Sequence, residues 1–216
     1  MTTPRFGTTC LAGLALLAGL GAAARGQLPN AAPAQAEADE YTRYELLAPG
    51  TAKFRILYEV TATTPGAAFY FNPIRRGSVA SDEAVYDRAT GGRLRFDVVG
   101  PAEARAGGVA GADSGQQYIR VRLPRPVPRD GEVRILIDKT YEDPRSYVTE
   151  EGGRVIVFSR SLGIKRNAVV LPAGYELVAC NYPSQLRTEG DGRLAVSFIN
   201  VGPAPVPFVV RARRLP

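Results

Sequence analysis

Large apolar residues recur at every second position along much of the chain from residue 41 onward. Phe54, Ile56, Tyr58 and Val60 alternate with Lys53, Arg55, Leu57 and Glu59. The same spacing carries Leu94, Phe96 and Val98, then Ile119, Val121 and Leu123, then Val133, Ile135 and Ile137. It returns in Leu194, Val196 and Phe198 and in Val206, Phe208 and Val210. Successive side chains of a strand point to opposite faces, so a period of two marks strands with one buried and one wet face. Wet faces favour antiparallel sheets over a parallel sheet covered on both sides.

Turn residues punctuate these runs: Pro49-Gly50, Thr90-Gly91-Gly92, Arg129-Asp130-Gly131, Glu151-Gly152-Gly153 and Gly190-Asp191-Gly192. Glycine supplies positive φ and aspartate tolerates it, so these segments suit tight hairpins. The chain holds 17 prolines, which oppose long helices. Only residues 78–87 read as a site for a helical turn, started by Ser81-Asp82-Glu83. Many short strands with regular turns predict an all-β fold, an antiparallel β-sandwich with a closed β-barrel as the alternative.

The first residues follow a different pattern. Arg5 precedes an apolar run at residues 10–20 (CLAGLALLAGL), and Ala22-Ala23-Ala24 follows as a small-residue cleavage site. This is the layout of a secretory signal peptide over residues 1–24. The run is too short for a membrane span, so none is expected after cleavage. Residues 25–40 are rich in alanine and proline and read as a flexible leader. A single domain is expected over residues 41–216, in the periplasm or outside the cell. Without Cys10 only Cys180 remains, in an apolar run that suits a buried, inert thiol.

Composition removes whole classes of chemistry. The chain has no histidine, which excludes the Ser-His-Asp and Cys-His arrangements and the HExxH zinc site. A lone cysteine without histidine offers no zinc site, and no glycine-rich phosphate loop is present. No cofactor is implied, and no acidic spacing matches a calcium loop. The formal charge is +6, almost all of the positive charge being arginine. An exported chain rarely meets nucleic acid, and these arginines alternate with apolar residues, so they read chiefly as a solvated sheet face.

Two stretches can bind. Arg160, Lys165 and Arg166 flank a glycine-containing loop and read as a cationic surface for an acidic envelope protein or an anionic glycan. Tyr70, Arg75 and Arg76, within Phe69-Tyr70-Phe71-Asn72-Pro73-Ile74-Arg75-Arg76, combine aromatic and cationic groups as a sugar or peptide surface does. The densest carboxylates are Asp138, Glu142 and Asp143, the candidates for a glycan hydrolase.

The run at 166–183 (RNAVVLPAGYELVACNYP), preceded by SRSLG, resembles uncharacterised exported bacterial β-domain proteins. Its LPAGYE segment, with the Ile135-Leu136-Ile137-Asp138 strand before a tyrosine, is similar to the N-terminal β-sandwich region of M1-type aminopeptidases. The resemblance implies a non-catalytic β-domain of the peptidase-accessory or surface-adhesive kind, because the HExxH helix of those enzymes has no counterpart. The expected function is a non-enzymatic exported module that binds a protein or glycan in the envelope. A carboxylate-based glycan hydrolase and a structural subunit of an envelope complex are its rivals.

Overall fold

The structure, a computed structural model, describes residues 32–216; the expected signal peptide at 1–24 and the first residues of the expected leader lie outside them. Fourteen strands account for most of the described chain. They are β1 (Glu37–Leu46), β2 (Lys53–Ala62), β3 (Phe69–Pro73), β4 (Val79–Asp87), β5 (Phe96–Val99), β6 (Tyr118–Arg122) and β7 (Val133–Glu142). There follow β8 (Tyr147–Glu150), β9 (Val155–Leu162), β10 (Arg166–Val170), β11 (Tyr175–Cys180), β12 (Gln185–Thr188), β13 (Leu194–Ile199) and β14 (Val206–Arg214). Among the described residues there is one short α-helix, α1 (Pro101–Ala106), which begins with proline, whose fixed φ and missing N–H suit a first turn.

The strands form three sheets. A seven-stranded sheet runs β12-β13-β10-β1-β2-β7-β4, a four-stranded one β11-β14-β9-β8, and a three-stranded one β3-β6-β5. None closes into a barrel, so the alternative architecture is excluded. All pairings are antiparallel except β1 with β10, which run parallel. A parallel pair needs a crossover, and here the crossover is most of the domain.

Both small sheets cover the same face of the large one. Phe54 and Tyr58 share that face because they are four residues apart on β2. Phe54 meets Phe158 of β9 edge-on at 5.4 Å, while the Tyr58 hydroxyl is 3.3 Å from that of Tyr70 on β3. Phe198 of β13 stacks on Phe208 of β14 at 4.5 Å. These contacts form one continuous core, in which each fully buried large side chain contributes about 1.5–3 kcal/mol of transfer free energy. The seam between the small sheets is left open over the middle of the large sheet. The opposite face is wet and laced with ion pairs, such as Arg55–Asp138, Arg88–Glu59 and Arg43–Glu45. Arg43, Arg55 and Arg134 of the alternating arginines sit there, while Arg120 and Arg122 lie on the three-stranded sheet.

Several expectations are corrected. Of residues 78–87, all but Ser78 form β4 instead of a helical turn; the local kink is a bulge between Ser81 and Ala84, with Asp82 at φ 55. Pairing with β7 supplies backbone hydrogen bonds that an isolated turn lacks, and aspartate tolerates the left-handed conformation. Arg129-Asp130-Gly131 makes no hairpin, because it carries the chain from β6 in the small sheet to β7 in the large one. In the Leu94-Phe96-Val98 run the buried residue is Val99. It packs in a satellite core with Phe71, Ala104, Ala112 and Tyr118, leaving Val98 exposed on an edge strand.

The domain also starts before Tyr41. β1 begins at Glu37, and Gln35 exchanges two hydrogen bonds with the Phe71 backbone (Nε2 to O, 3.0 Å; N to Oε1, 2.8 Å). Residues 35–40 therefore belong to the packed body and not to a free leader. Cys180 is half-buried, its thiol 3.3 Å from the Tyr182 carbonyl, so the fully buried thiol expected from its apolar neighbours is not found. It sits at the end of β11, an edge strand whose flanks face water.

Candidate functional site

Two inward-facing positions carry cations where the pattern calls for apolar residues. On β7 the buried series Val133, Ile135, Ile137 continues with Lys139 and then Tyr141. On β9 it runs Ile156, Phe158, Arg160, Leu162. Lys139 is 4% exposed and Arg160 7%. They lie on one aromatic ring: Lys139 Nζ is 5.0 Å and the Arg160 guanidinium 5.5 Å from the centre of Tyr141.

Arg160 has a carboxylate counterion. Its Nη1 donates to Asp143 Oδ2 and to Ser146 Oγ, each at 3.2 Å. Its guanidinium also lies over the rings of Phe54 (5.3 Å) and Tyr44 (5.9 Å), a cation–π cage. Asp143 accepts from Ser146 Oγ (2.8 Å), Ser78 Oγ (3.1 Å) and the Arg145 N–H (3.1 Å). Burial alone would raise the Asp143 carboxyl; these donors and Arg160 outweigh it and hold the group below its ordinary value. Arg160 is thus a core residue and not part of a cationic loop. Lys165 is exposed, and Arg166 pairs with Asp39 at 2.7 Å and lies over Tyr41. The three cations expected to act together do not converge, since β9 turns Arg160 inward while Lys165 and Arg166 stay at the surface.

A cationic cleft lies instead on the outer side of the Arg160–Asp143 pair. It has a volume of about 510 Å³ and is walled by Arg75, Arg76, Arg145 and the serines 146, 159 and 161. The Arg75 guanidinium donates to the Ser161 carbonyl at 3.3 Å, and the Arg75 backbone N–H donates to the Tyr141 hydroxyl at 3.2 Å. Arg76 pairs with Asp113, and Arg145 Nη2 donates to the Arg76 carbonyl at 3.1 Å. Gly77, at φ 77, makes this possible: a Cβ there would lie 2.0 Å from Arg145 Nη2. Asp143 is the one carboxylate of the lining, and Arg160 already holds it. Arg75 and Arg76 of the expected surface are therefore brought together, with Arg145 added. Tyr70 is not at that surface: it is 2% exposed and points into the core.

On the inner side of Arg160, the seam between the small sheets holds a second cavity of about 420 Å³. Lys139 lines it and donates to Asn72 Oδ1 at 2.5 Å; no carboxylate among the described residues lies within ion-pair reach. Burial and then the nearby Arg160 charge pull the Lys139 amine down to about 7, with Glu83 opposing them. Across the cavity, the Tyr58 hydroxyl donates to Glu40 and touches Tyr70. Burial raises both phenols, and burial with Glu40 raises the Glu37 carboxyl. Thr42 lines the cavity too, its Oγ1 buried and without a hydrogen-bond partner among the described residues.

The carboxylate triplet does not assemble. Asp138 and Glu142 lie on the outer face of β7, paired with Arg55 (2.5 Å) and Lys53 (3.6 Å), whereas Asp143 is locked under Arg160. A general acid and base flanking a substrate need both groups free and facing one space.

No family model matches the chain, and no curated protein does. Among solved structures, the chain is similar to an M1 zinc metallopeptidase from Deinococcus radiodurans, at 14% identity over 84% of this chain and 42% of that one, with a TM-score of 0.49. A point mutant of that peptidase matches over 81% of this chain and 41% of its own, at 14% identity and a TM-score of 0.47. The chain thus spans about two fifths of the length of these peptidases.

Proposed function

We propose that this protein is an exported, non-enzymatic β-sandwich module that binds a carboxylate-rich partner of the cell envelope through the arginine cleft. The carrying observation is the convergence of Arg75, Arg76 and Arg145 beside a carboxylate already neutralised by Arg160. Arginine presents a planar fork that matches carboxylates two bonds at a time. The serines at 146, 159 and 161 add polar groups to the same wall. The signal-like segment at residues 1–24 supports export. The dispersal of Asp138, Glu142 and Asp143 speaks against the hydrolase reading. A structural role by strand addition draws support from β12, an edge strand whose four residues are all exposed.

Calorimetric titration with an oligogalacturonate and, separately, with poly-glutamate tests the cleft. Binding of one polymer at low salt, weakened at high salt and lost in the Arg75→Ala/Arg76→Ala/Arg145→Ala variant, is the expected outcome. Lys165→Ala should bind as the unchanged protein does. Failure of both polymers at low salt removes the proposal, and binding that survives the triple substitution moves it elsewhere on the surface.

A further inference from the structure

Lys139 has no role in the arginine cleft, and its surroundings suit a different chemistry. A buried ammonium normally keeps a carboxylate partner, because an unpaired charge in a low-dielectric interior is costly. Among the described residues Lys139 bonds only the Asn72 amide oxygen, and Arg160 lies near the same Tyr141 ring. The groups around it leave the amine uncompensated: Arg160 from β9, Arg75 at the cavity wall, the phenols of Tyr141 and Tyr44, and Glu83 of β4 beyond bonding reach. Such a lysine is a nucleophile held in waiting.

Proton-handling groups stand close by. Tyr70 and Asn72 lie two residues apart on β3, and both line the cavity. The Tyr70–Tyr58–Glu40 chain therefore starts from a β3 residue whose backbone is about 7 Å along the strand from that of Asn72, the partner of Lys139. Thr42 also lines the cavity, and its hydroxyl is buried without a hydrogen-bond partner among the described residues. Arg75, whose guanidinium bonds a backbone carbonyl and no carboxylate among the described residues, is a cation that lines both this cavity and the arginine cleft.

We propose that the seam cavity is a carbonyl-capture site in which Lys139 forms a reversible imine with a small 2-oxo acid whose carboxylate is met by Arg75. The amine nitrogen bonds to the carbonyl carbon. The carbonyl oxygen leaves as water, carrying the two protons the nitrogen gives up, so the C=O bond is exchanged for C=N with no change of oxidation state. The tyrosine–glutamate chain relays those protons. About 420 Å³ lies within the range of small-ligand pockets and takes such an acid with ease.

The test uses the full chain with glyoxylate and cyanoborohydride at pH 7, which fixes any imine as a secondary amine. The chain has only three lysines, at 53, 139 and 165, so peptide mapping resolves every side-chain adduct. Lys139 should be labelled about tenfold or more faster than the exposed Lys53 and Lys165, since the reactive neutral fraction grows tenfold for each unit the pKa falls. Urea should abolish the preference. Arg75→Ala should slow glyoxylate labelling of Lys139 while leaving acetaldehyde labelling unchanged. Equal labelling of the three lysines, or a preference that persists in urea, overturns the capture site. Unchanged glyoxylate labelling in Arg75→Ala overturns the 2-oxo acid assignment. These readouts do not involve the polymer titrations, so either reading can fail alone.

Discussion

Two buried cations near Tyr141, Arg160 toward the arginine cleft and Lys139 toward the seam cavity, stand under opposite electrostatic arrangements. On the outer side, Arg160 is caged by three rings and bonded to Asp143, which is itself held by two serines. On the inner side, Lys139 is as deeply buried but has a single neutral acceptor. Where every charge has its counterpart, the result is structure. Where one is missing, the site keeps chemical potential that a ligand can satisfy. Arginine cannot shed its proton and needs the aspartate, whereas lysine can meet burial by going neutral.

The largest expected effect comes from breaking the compensated side. Asp143→Ala leaves Arg160 buried without its counterion and should destabilise the fold by about 3–5 kcal/mol, read as a shift in the urea midpoint. If the loss is under about 1 kcal/mol, Arg160 has rearranged to water and the cage is not rigid.

The uncompensated side should respond with the opposite sign. Lys139→Met removes an unpaired buried amine and should stabilise the protein by about 1–4 kcal/mol at neutral pH. The pH dependence follows from linkage. The Lys139 value is depressed to about 7 from an ordinary 10.5, so between these the unfolded chain binds more protons than the folded one. Stability should therefore rise from pH 7 toward 10.5, and the advantage of Lys139→Met should shrink over that window. Thermal melts of both proteins across it give the answer; a constant difference means the lysine is not depressed by its site.

The smallest effect is on the wet face. Arg55→Ala removes a half-exposed partner of Asp138 and should cost no more than about 1 kcal/mol. Together with Asp143→Ala, it shows whether burial or charge pairing sets the energetic scale in this sandwich.

The strands were legible because side-chain alternation is local: β2, β6, β7, β13 and β14 all follow their apolar period. The same period already held the clue to the inner site. Lys139 and Arg160 fall in register with Ile137 and Phe158, and a cation at an inward position is a conflict that the fold must resolve. Its resolution could not be read locally, since Asp143 reaches Arg160 only through the β7–β8 turn, and Asn72 reaches Lys139 only across the sheets. Arg145 escaped notice for the same reason, because Gly77 brings it to Arg76 from a distant segment. The division into three sheets depends on pairings between strands far apart in sequence, such as β1 with β10, which no local pattern encodes.

The parallel pairing of β1 with β10 also has a bearing on how the chain reaches this state. β1 finds β2 at once through a short turn, but its other edge stays bare until residues 166–170 have been made. Three strands of the large sheet, β10, β13 and β12, hang from that edge. Throughout synthesis a half-finished sheet therefore presents a row of unpaired backbone groups next to Tyr41 and Arg43, a template for the wrong neighbour. Closing it spans a long loop, which slows folding. A chaperone that shields β1, or a chain held unfolded until it is complete, would remove the hazard at its source.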